Sequence, residues 1–104
     1  MKKETRTIVY DDNLHIEGYH LEGNVHPFPN HFHEHYVIGL IHDGKRHLSC
    51  RNKEYHLQKG HIVIFNPNDN HACSPIDGYP LDYIGINIPQ MTMLDLIEEI
   101  IGII

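Results

Sequence analysis

Short runs of β-forming residues, separated by turn residues, are the feature of this 104-residue chain that most constrains its fold. Seven runs are predicted to be strands: residues 6–10, 14–21, 35–42, 46–50, 54–58, 61–65 and 81–88. The dipeptides Asp43-Gly44 and Asp77-Gly78 lie between such runs and favour tight turns. Because many short strands at regular spacing are typical of sandwiches and barrels, we predict an all-β domain.

Alternation of side chains along these runs predicts which residues form the apolar faces of the sheet. We expect residues 14–88 to form an antiparallel barrel or sandwich whose apolar faces include Ile38, Leu40, Ile62, Ile64, Ile84 and Ile86. The chain length is that of one ordinary domain, so we expect residues 1–104 to hold a single module, with the barrel at about residues 6–88.

The composition changes after Pro89, where a helical pattern replaces the alternation. A helix over about residues 90–102 places Met93, Leu96 or Ile97, Ile100 and Ile104 on one apolar stripe. This stretch carries more aliphatic surface than one short helix can hide against one barrel, so we predict a homodimer through the helix. The alternative is that the stripe packs wholly on its own barrel.

The balance of charge argues against direct binding of nucleic acid by this chain. Fourteen acidic residues against eight basic ones give a formal charge of −6, and Lys and Arg form no cluster. Residues 7–12 supply no long apolar stretch, so we predict no signal peptide and a cytoplasmic location. Residues 94–104 are too few and too charged to span a bilayer. Cys50 and Cys73 stand apart and are expected to be reduced thiols.

Three of the eleven histidines define the candidate site. His31 and His33 point the same way on a strand, and a later turn can bring His71 opposite them. One interpretation is that these imidazoles are polar pocket residues bonded to each other or to water. The other is a divalent transition metal such as Zn, Ni, Fe or Mn, held by three nitrogens with one coordination position left open.

Val37 and Gly39 have the same parity as these histidines, so we expect them to line the floor of the same pocket. Gly39 would leave space for a ligand there, and relief of crowding in the strand is the alternative. His35 also has this parity and is a spare ligand or a rim residue. The predicted ligand-binding residues are therefore His31, His33, Val37, Gly39 and His71, and the three histidines among them are the predicted metal ligands.

The segments that carry these residues resemble the paired motifs of the cupins, small β-barrels in which His-x-His and a later Gly…Pro…His segment meet. Within the cupins, the resemblance is closest to the N-terminal effector domain of AraC-type transcription regulators. It spans about residues 26–88 and rests on residues 27–39, Gly60, Asn66-Pro67, His71 and Ser74-Pro75. The enzyme-type cupin motif has a glutamate four or five residues after the second histidine, where this chain has Val37 and Ile38.

The resemblance implies a cupin-like antiparallel β-barrel, also called a double-stranded β-helix or jelly roll, with a short C-terminal helix. It also implies a sensor that binds a small polar effector, for instance a sugar, inside the barrel. In that family DNA is bound by a separate C-terminal helix-turn-helix module, which we expect to lie outside these 104 residues. Because the motif glutamate is missing and no nucleophile motif is found, we rank sensing above catalysis. The alternatives are a free-standing metal-dependent cupin enzyme and a sugar-binding module without signalling.

Overall fold

The computed structural model describes residues 4–102 and consists of two β-sheets followed by one helix. The strands are β1 (Thr5–Asp11), β2 (Ile16–Asn24), β3 (Phe28–His31), β4 (Tyr36–Asp43), β5 (Lys45–Cys50), β6 (Lys53–Gln58), β7 (Ile62–Phe65), β8 (His71–Pro75) and β9 (Leu81–Ile88), and the helix is α1 (Gln90–Ile101). The five-stranded sheet has the order β1-β2-β9-β4-β7 and the four-stranded sheet the order β3-β8-β5-β6, with every pair antiparallel. The predicted all-β architecture with a short terminal helix is confirmed.

The two sheets meet in an apolar core. Val37, Val63 and Phe65 from the five-stranded sheet form a buried cluster with Leu48 from the four-stranded sheet. Burying each of these side chains contributes about 1.5–3 kcal/mol to folding. The cluster joins the strands that carry the candidate site.

Strands β3 and β8 are absent from the predicted set. Their sequences, Phe-Pro-Asn-His and His-Ala-Cys-Ser-Pro, contain proline and small residues, so the strand pattern is weak. They form because they pair with each other, His31 opposite His71 and Phe28 opposite Cys73, while β8 also pairs with β5. Two of the candidate histidines therefore lie on strands that only tertiary pairing reveals.

The predicted apolar face lies on the outside of the five-stranded sheet, opposite the face that carries Val37 and Val63. Ile62 and Ile64 are 65 % and 64 % exposed, whereas Val63 and Phe65 are buried. Both faces of β4 and β7 are aliphatic, so alternation separates two faces without indicating which one is inside. Ile38, Leu40, Ile62, Ile64, Ile84 and Ile86 together form a surface that we call the outer aliphatic face.

Helix α1 is attached to the barrel by its first turn. Thr92 Oγ1 donates to Leu14 O at 2.7 Å, and Gln90 Nε2 donates to Glu34 O at 2.7 Å. The helix ends at Gly102, whose φ of 74° is the left-handed conformation common at helix ends. These contacts fix where the helix leaves the barrel.

The apolar side chains beyond the first turn of α1 are largely exposed. Leu94 is 48 % exposed, Ile97 38 % and Ile100 80 %. Ile104, the last residue of the predicted stripe, lies outside the described residues. Within residues 4–102, no helix has the length and apolar character needed to cross a membrane.

Candidate functional site

A cavity of about 360 Å³ lies between the two sheets. Its apolar wall includes Val37, Ile41, Leu48, Leu57, Val63, Phe65 and Leu81, and its polar groups include His31, His33, His71, Glu17, Tyr19, Tyr83 and Asn87. The cavity opens over β1, because Ile8 lines it and is also 64 % exposed. Its size and its mostly apolar wall with a few polar groups suit a small-molecule ligand.

Two strands and a loop bring the three predicted histidines together. His31 ends β3 and pairs with His71, the first residue of β8. His33 lies in the β3–β4 loop, where its carbonyl accepts from Asn68 N at 2.7 Å. The ring centroids are 4.3 Å apart for His31 and His71, 4.9 Å for His31 and His33, and 5.4 Å for His33 and His71. One nitrogen of each ring lies within 4.8 Å of those of the other two. These residues are called the histidine triad below.

Backbone carbonyls set the tautomer of two rings in the triad. His31 Nδ1 lies 2.7 Å from Pro29 O, and His71 Nδ1 lies 3.1 Å from Asp69 O. Because a carbonyl can only accept, each Nδ1 carries the proton and each Nε2 keeps its lone pair. Metal-binding histidines are commonly held in this way, with the second ring nitrogen bonded to a carbonyl.

Burial favours the neutral form of two rings of the triad, His33 and His71. It lowers the pKa of His33 to about 4, and the neighbouring rings of His31, His35 and His71 add to this shift. Burial also lowers the pKa of His71. Both rings are therefore neutral at pH 7, and only a neutral imidazole can bind a metal.

The donor set of the triad fits a divalent transition metal. Three imidazoles are a common protein contribution to such a site and leave coordination positions open. The position of the cupin glutamate is occupied by Val37, which is buried and offers no ligand atom. His35 lies nearby, with its ring centroid 4.9 Å from that of His33, and its Nε2 is enclosed without a hydrogen-bond partner among residues 4–102. It is not part of the converging group.

Val37 and Gly39, the other predicted site residues, are placed differently. Val37 lines the cavity. Gly39 does not, because Tyr83 occupies the space beside it, and a Cβ at this position would overlap the Tyr83 hydroxyl. Gly85, its partner on β9, makes room for Tyr19 in the same way. The structure thus favours relief of crowding as the reason for Gly39.

Several polar residues of the cavity wall were not predicted, among them Tyr19, Tyr83, Glu17 and Asn87. Tyr19 and Tyr83 share a hydrogen bond with ring centroids 5.8 Å apart, and burial raises the pKa of both phenols, so both stay protonated. Asn87 Nδ2 donates to Glu17 Oε1 at 2.9 Å. The spacing of Glu17 and Tyr19 does place them on one face of β2, but the sequence does not indicate that this face is the inner one.

A fully buried arginine fixes the corner that precedes β3. Arg46 donates to Asn24 Oδ1 at 2.8 Å, to Asn24 O at 2.9 Å and to His26 O at 2.6 Å. Asn24 Nδ2 in turn donates to Glu4 Oε1 at 2.8 Å, which brings a negative charge close to the guanidinium. These bonds hold the chain between β2 and β3 and so position His31 at the end of β3.

Comparison with known sequences decides the family. The AraC-like ligand binding domain family matches residues 13–103. The chain belongs to this family. The AraC-like domain is also 47 % identical over 102 residues to YbfI, an uncharacterized HTH-type transcriptional regulator of Bacillus subtilis (strain 168). That match covers 98 % of this chain and 37 % of the regulator, so the chain spans little more than a third of its relative. The predicted relation to AraC-type regulators is confirmed.

Solved structures similar to the AraC-like domain include several cupins. A cupin-like protein from Thermotoga maritima matches with a TM-score of 0.71 and 23 % identity, over 84 % of this chain and 69 % of that one. The Schizosaccharomyces pombe Cnp3 cupin domain matches with a TM-score of 0.74 and 10 % identity, over 99 % and 74 %. The DMSP lyase DddQ from Ruegeria pomeroyi DSS-3 matches with a TM-score of 0.70 and 15 % identity, over 85 % and 48 %. At these identities the likeness shows the fold alone, and it confirms the predicted cupin-like barrel.

Proposed function

We propose that this AraC-like domain senses a small polar effector, for instance a sugar, which binds in the cavity between the sheets. The observation that carries the proposal is the convergence of His31, His33 and His71 on the wall of a largely apolar cavity. A few polar groups on an apolar wall orient a polar ligand and reject one without matching groups. Membership in the family supports sensing rather than catalysis. DNA would be bound elsewhere in a longer cytoplasmic regulator, since this chain carries a formal charge of −6.

The histidine triad would also hold a divalent transition metal, Zn, Ni, Fe or Mn. When bound, the metal supplies a Lewis acid that anchors an oxygen or nitrogen atom of the effector. The chain's own part is to present three imidazoles, with the rings of His31 and His71 held by Pro29 O and Asp69 O and the pKa of His33 lowered by burial.

Two copies of the domain would associate through α1. Its aliphatic side chains remain exposed beyond the anchored first turn, most of all Ile100 at 80 %. Burial of apolar area stabilises association by roughly 25 cal/mol per Å², so a few shared isoleucines contribute several kcal/mol. Because α1 follows directly from β9, which carries Tyr83 and Asn87 of the cavity wall, a ligand that shifts β9 would also shift the dimer contact.

A metal-dependent cupin enzyme is the second candidate. The same three nitrogens favour it, because they leave open positions at which a bound metal could meet a substrate. The missing carboxylate at Val37 and Ile38 weighs against it, since no acidic group then lies at the position of the cupin glutamate. Turnover of a small substrate by the metal-loaded protein would show that the domain is an enzyme.

The effector proposal is tested by elemental analysis of protein purified without a histidine tag, followed by a thermal-shift screen of metabolites. A ligand that binds only the folded state raises the unfolding temperature by mass action. We expect His71→Ala to abolish the shift, and His56→Ala, a change at an exposed histidine of β6, to leave it intact. A shift that persists in His31→Ala, His33→Ala and His71→Ala alike would overturn the proposal.

A further inference from the structure

The cavity has a second polar end, formed by Glu17 and Asn87. They are register partners on β2 and β9 and are joined by the 2.9 Å hydrogen bond from Asn87 Nδ2 to Glu17 Oε1. Asn87 pairs in turn with Val37 of β4, and Val37 with Phe65 of β7, on which His71 stacks. Because neighbouring strands lie about 4.8 Å apart, Glu17 is about 10 Å across the sheet from Val37. Phe65 is one strand further, about 14 Å from Glu17, so the pair lies at the end of the cavity opposite the histidine triad.

No cation neutralises Glu17 among residues 4–102. Arg6, which also lines the cavity, pairs with Glu4, and Arg51 pairs with Asp69. A half-buried carboxylate without a cation needs hydrogen-bond donors to replace the water it has lost. The amide of Asn87 supplies one donor to a group that can accept several hydrogen bonds.

Acceptors predominate at the end of the cavity formed by Glu17 and Asn87. The Glu17 carboxylate and the Asn87 amide oxygen accept, and so do the Nε2 lone pairs that the triad presents. Tyr19 and Tyr83 bond to each other, so one hydroxyl hydrogen of the pair is left for a ligand. The terminal nitrogens of Arg46 donate to backbone and side-chain oxygens of the β2–β3 corner. A ligand that fits this end of the cavity must supply hydrogen atoms.

We propose that the ligand presents hydroxyl or amino groups, and neither carboxylate nor phosphate, to Glu17 and Asn87. This inference rests on the proposed effector-binding function and adds the chemical class of one end of the effector. An anionic group at this end would face the Glu17 carboxylate in a largely apolar cavity, where like charges repel strongly. A hydroxyl or ammonium group gains a charge-assisted hydrogen bond at the same place.

The test is a thermal-shift screen, followed by titration of each hit, with compounds sorted by functional group. The library contains matched sets such as glucose, glucosamine, gluconate and glucose 6-phosphate. We expect the hits to carry hydroxyl or amino groups and to lose roughly tenfold in affinity in Glu17→Gln, because a hydrogen bond to a charged acceptor is lost. Glu54→Gln, at an exposed glutamate of β6, is the matched control and should leave affinity unchanged. Added salt should weaken the binding of an amino ligand and leave the binding of a hydroxyl ligand unchanged. This difference distinguishes the two kinds of hydrogen-bond donor.

The outcomes separate this inference from the function on which it rests. Hits that are lost in His33→Ala but bind Glu17→Gln as tightly as the wild type would overturn the inference and leave effector sensing in place. Acids or phosphates that bind independently of Glu17 would likewise overturn the inference and leave effector sensing in place. A library without any hit would remove both proposals. If Glu17→Gln does not fold, Asn87→Ala takes its place and should weaken the same hits.

Discussion

Phe65 and His71 lie face to face, with ring centroids 3.9 Å apart and ring planes 9° from parallel. Phe65 belongs to the five-stranded sheet and His71 to the four-stranded sheet, so this contact joins the two sheets at the candidate site. The phenyl ring restricts the plane of the imidazole, while Asp69 O holds its Nδ1. The orientation of one site histidine thus depends on a core residue.

Replacing Phe65 by leucine keeps a large apolar side chain and removes the stacked ring. We expect a loss of about 1 kcal/mol in the free energy of unfolding, as for other core changes of similar volume. We also expect weaker Zn binding by the histidine triad, because the His71 ring is no longer held in its plane. Urea denaturation and Zn titration measure the two effects, with Ile41→Leu as the core control. Equal Zn affinity in Phe65→Leu and the wild type would show that the stack does not position His71.

The metal-free protein should lose stability as the pH falls from about 6.5 toward 4. His33 has its usual pKa of 6.5 in the unfolded chain and a pKa of about 4 in the folded protein, so in this window the unfolded chain binds the proton more tightly. The contribution of neutral His33 is complete above pH 6.5 and is lost on acidification. His33→Asn should flatten the change in urea midpoint between about pH 7.5 and about pH 4.5, measured with a chelator present, whereas His56→Asn should not. If the urea midpoints of His33→Asn and the wild type change in parallel with pH, His33 is not the source of the acid sensitivity.

Gly39→Ala should destabilise the barrel by about 1–3 kcal/mol, because the new methyl group overlaps the Tyr83 hydroxyl and forces that ring to move. Combining it with Tyr83→Val should recover part of the loss, since the obstructing ring is gone. Gly18→Ala is the control, because the contacting atom there is a methyl group of Val9 at 3.3 Å. Thermal and chemical denaturation measure the stabilities of Gly39→Ala, Gly18→Ala and the double variant. Additive losses in the double variant would contradict the steric explanation.

Arg46→Met should cost about 2–3 kcal/mol in the free energy of unfolding. It leaves the buried oxygens of Asn24 and the carbonyl of His26 without their donor, and an unsatisfied buried acceptor costs about 1–3 kcal/mol. Because the same bonds position β3, Zn binding by the triad should weaken as well. Lys53→Met, which removes an exposed cation of β6, is the control. A variant as stable as the wild type would show that the arginine does not hold this corner.

The double substitution Ile97→Glu and Ile100→Glu should dissociate the proposed dimer, because it places two charges on the apolar surface of α1. Sedimentation velocity measures the change in mass. Ile64→Glu makes the same kind of substitution on the outer aliphatic face and shows whether the effect belongs to α1. A monomeric wild type at high concentration, or a dimer that survives the change, would remove α1 from the assembly.

Different features of the sequence predicted the fold class and the histidines of the candidate site. Strong alternation locates strands such as β4 and β9 without tertiary information. The His31 and His71 strands have no such pattern, and their meeting was predicted from spacing and from the cupin resemblance.

Residues whose roles depend on register could not be predicted. A glutamate on a strand, such as Glu17, is ordinarily a solvent-facing residue, and only its pairing with Asn87 places it on the cavity wall. The inner and outer faces of β4 and β7 are equally aliphatic, so their assignment depended on where the second sheet packs. Gly39 likewise reveals its role only through Tyr83, which lies 44 positions further along the chain.

The outer aliphatic face makes the solubility of the separate domain depend on its net charge. Near neutral pH, the formal charge of −6 keeps copies apart. Histidine ordinarily gains its proton as the pH falls through about 6.5, so acidification reduces this charge, and six added protons cancel it. Copies then meet without repulsion, and the exposed isoleucines of β7 lie on the edge strand of their sheet, where another chain can add. The domain should therefore precipitate in mildly acidic buffer while it is still folded, and stay dispersed above neutral pH.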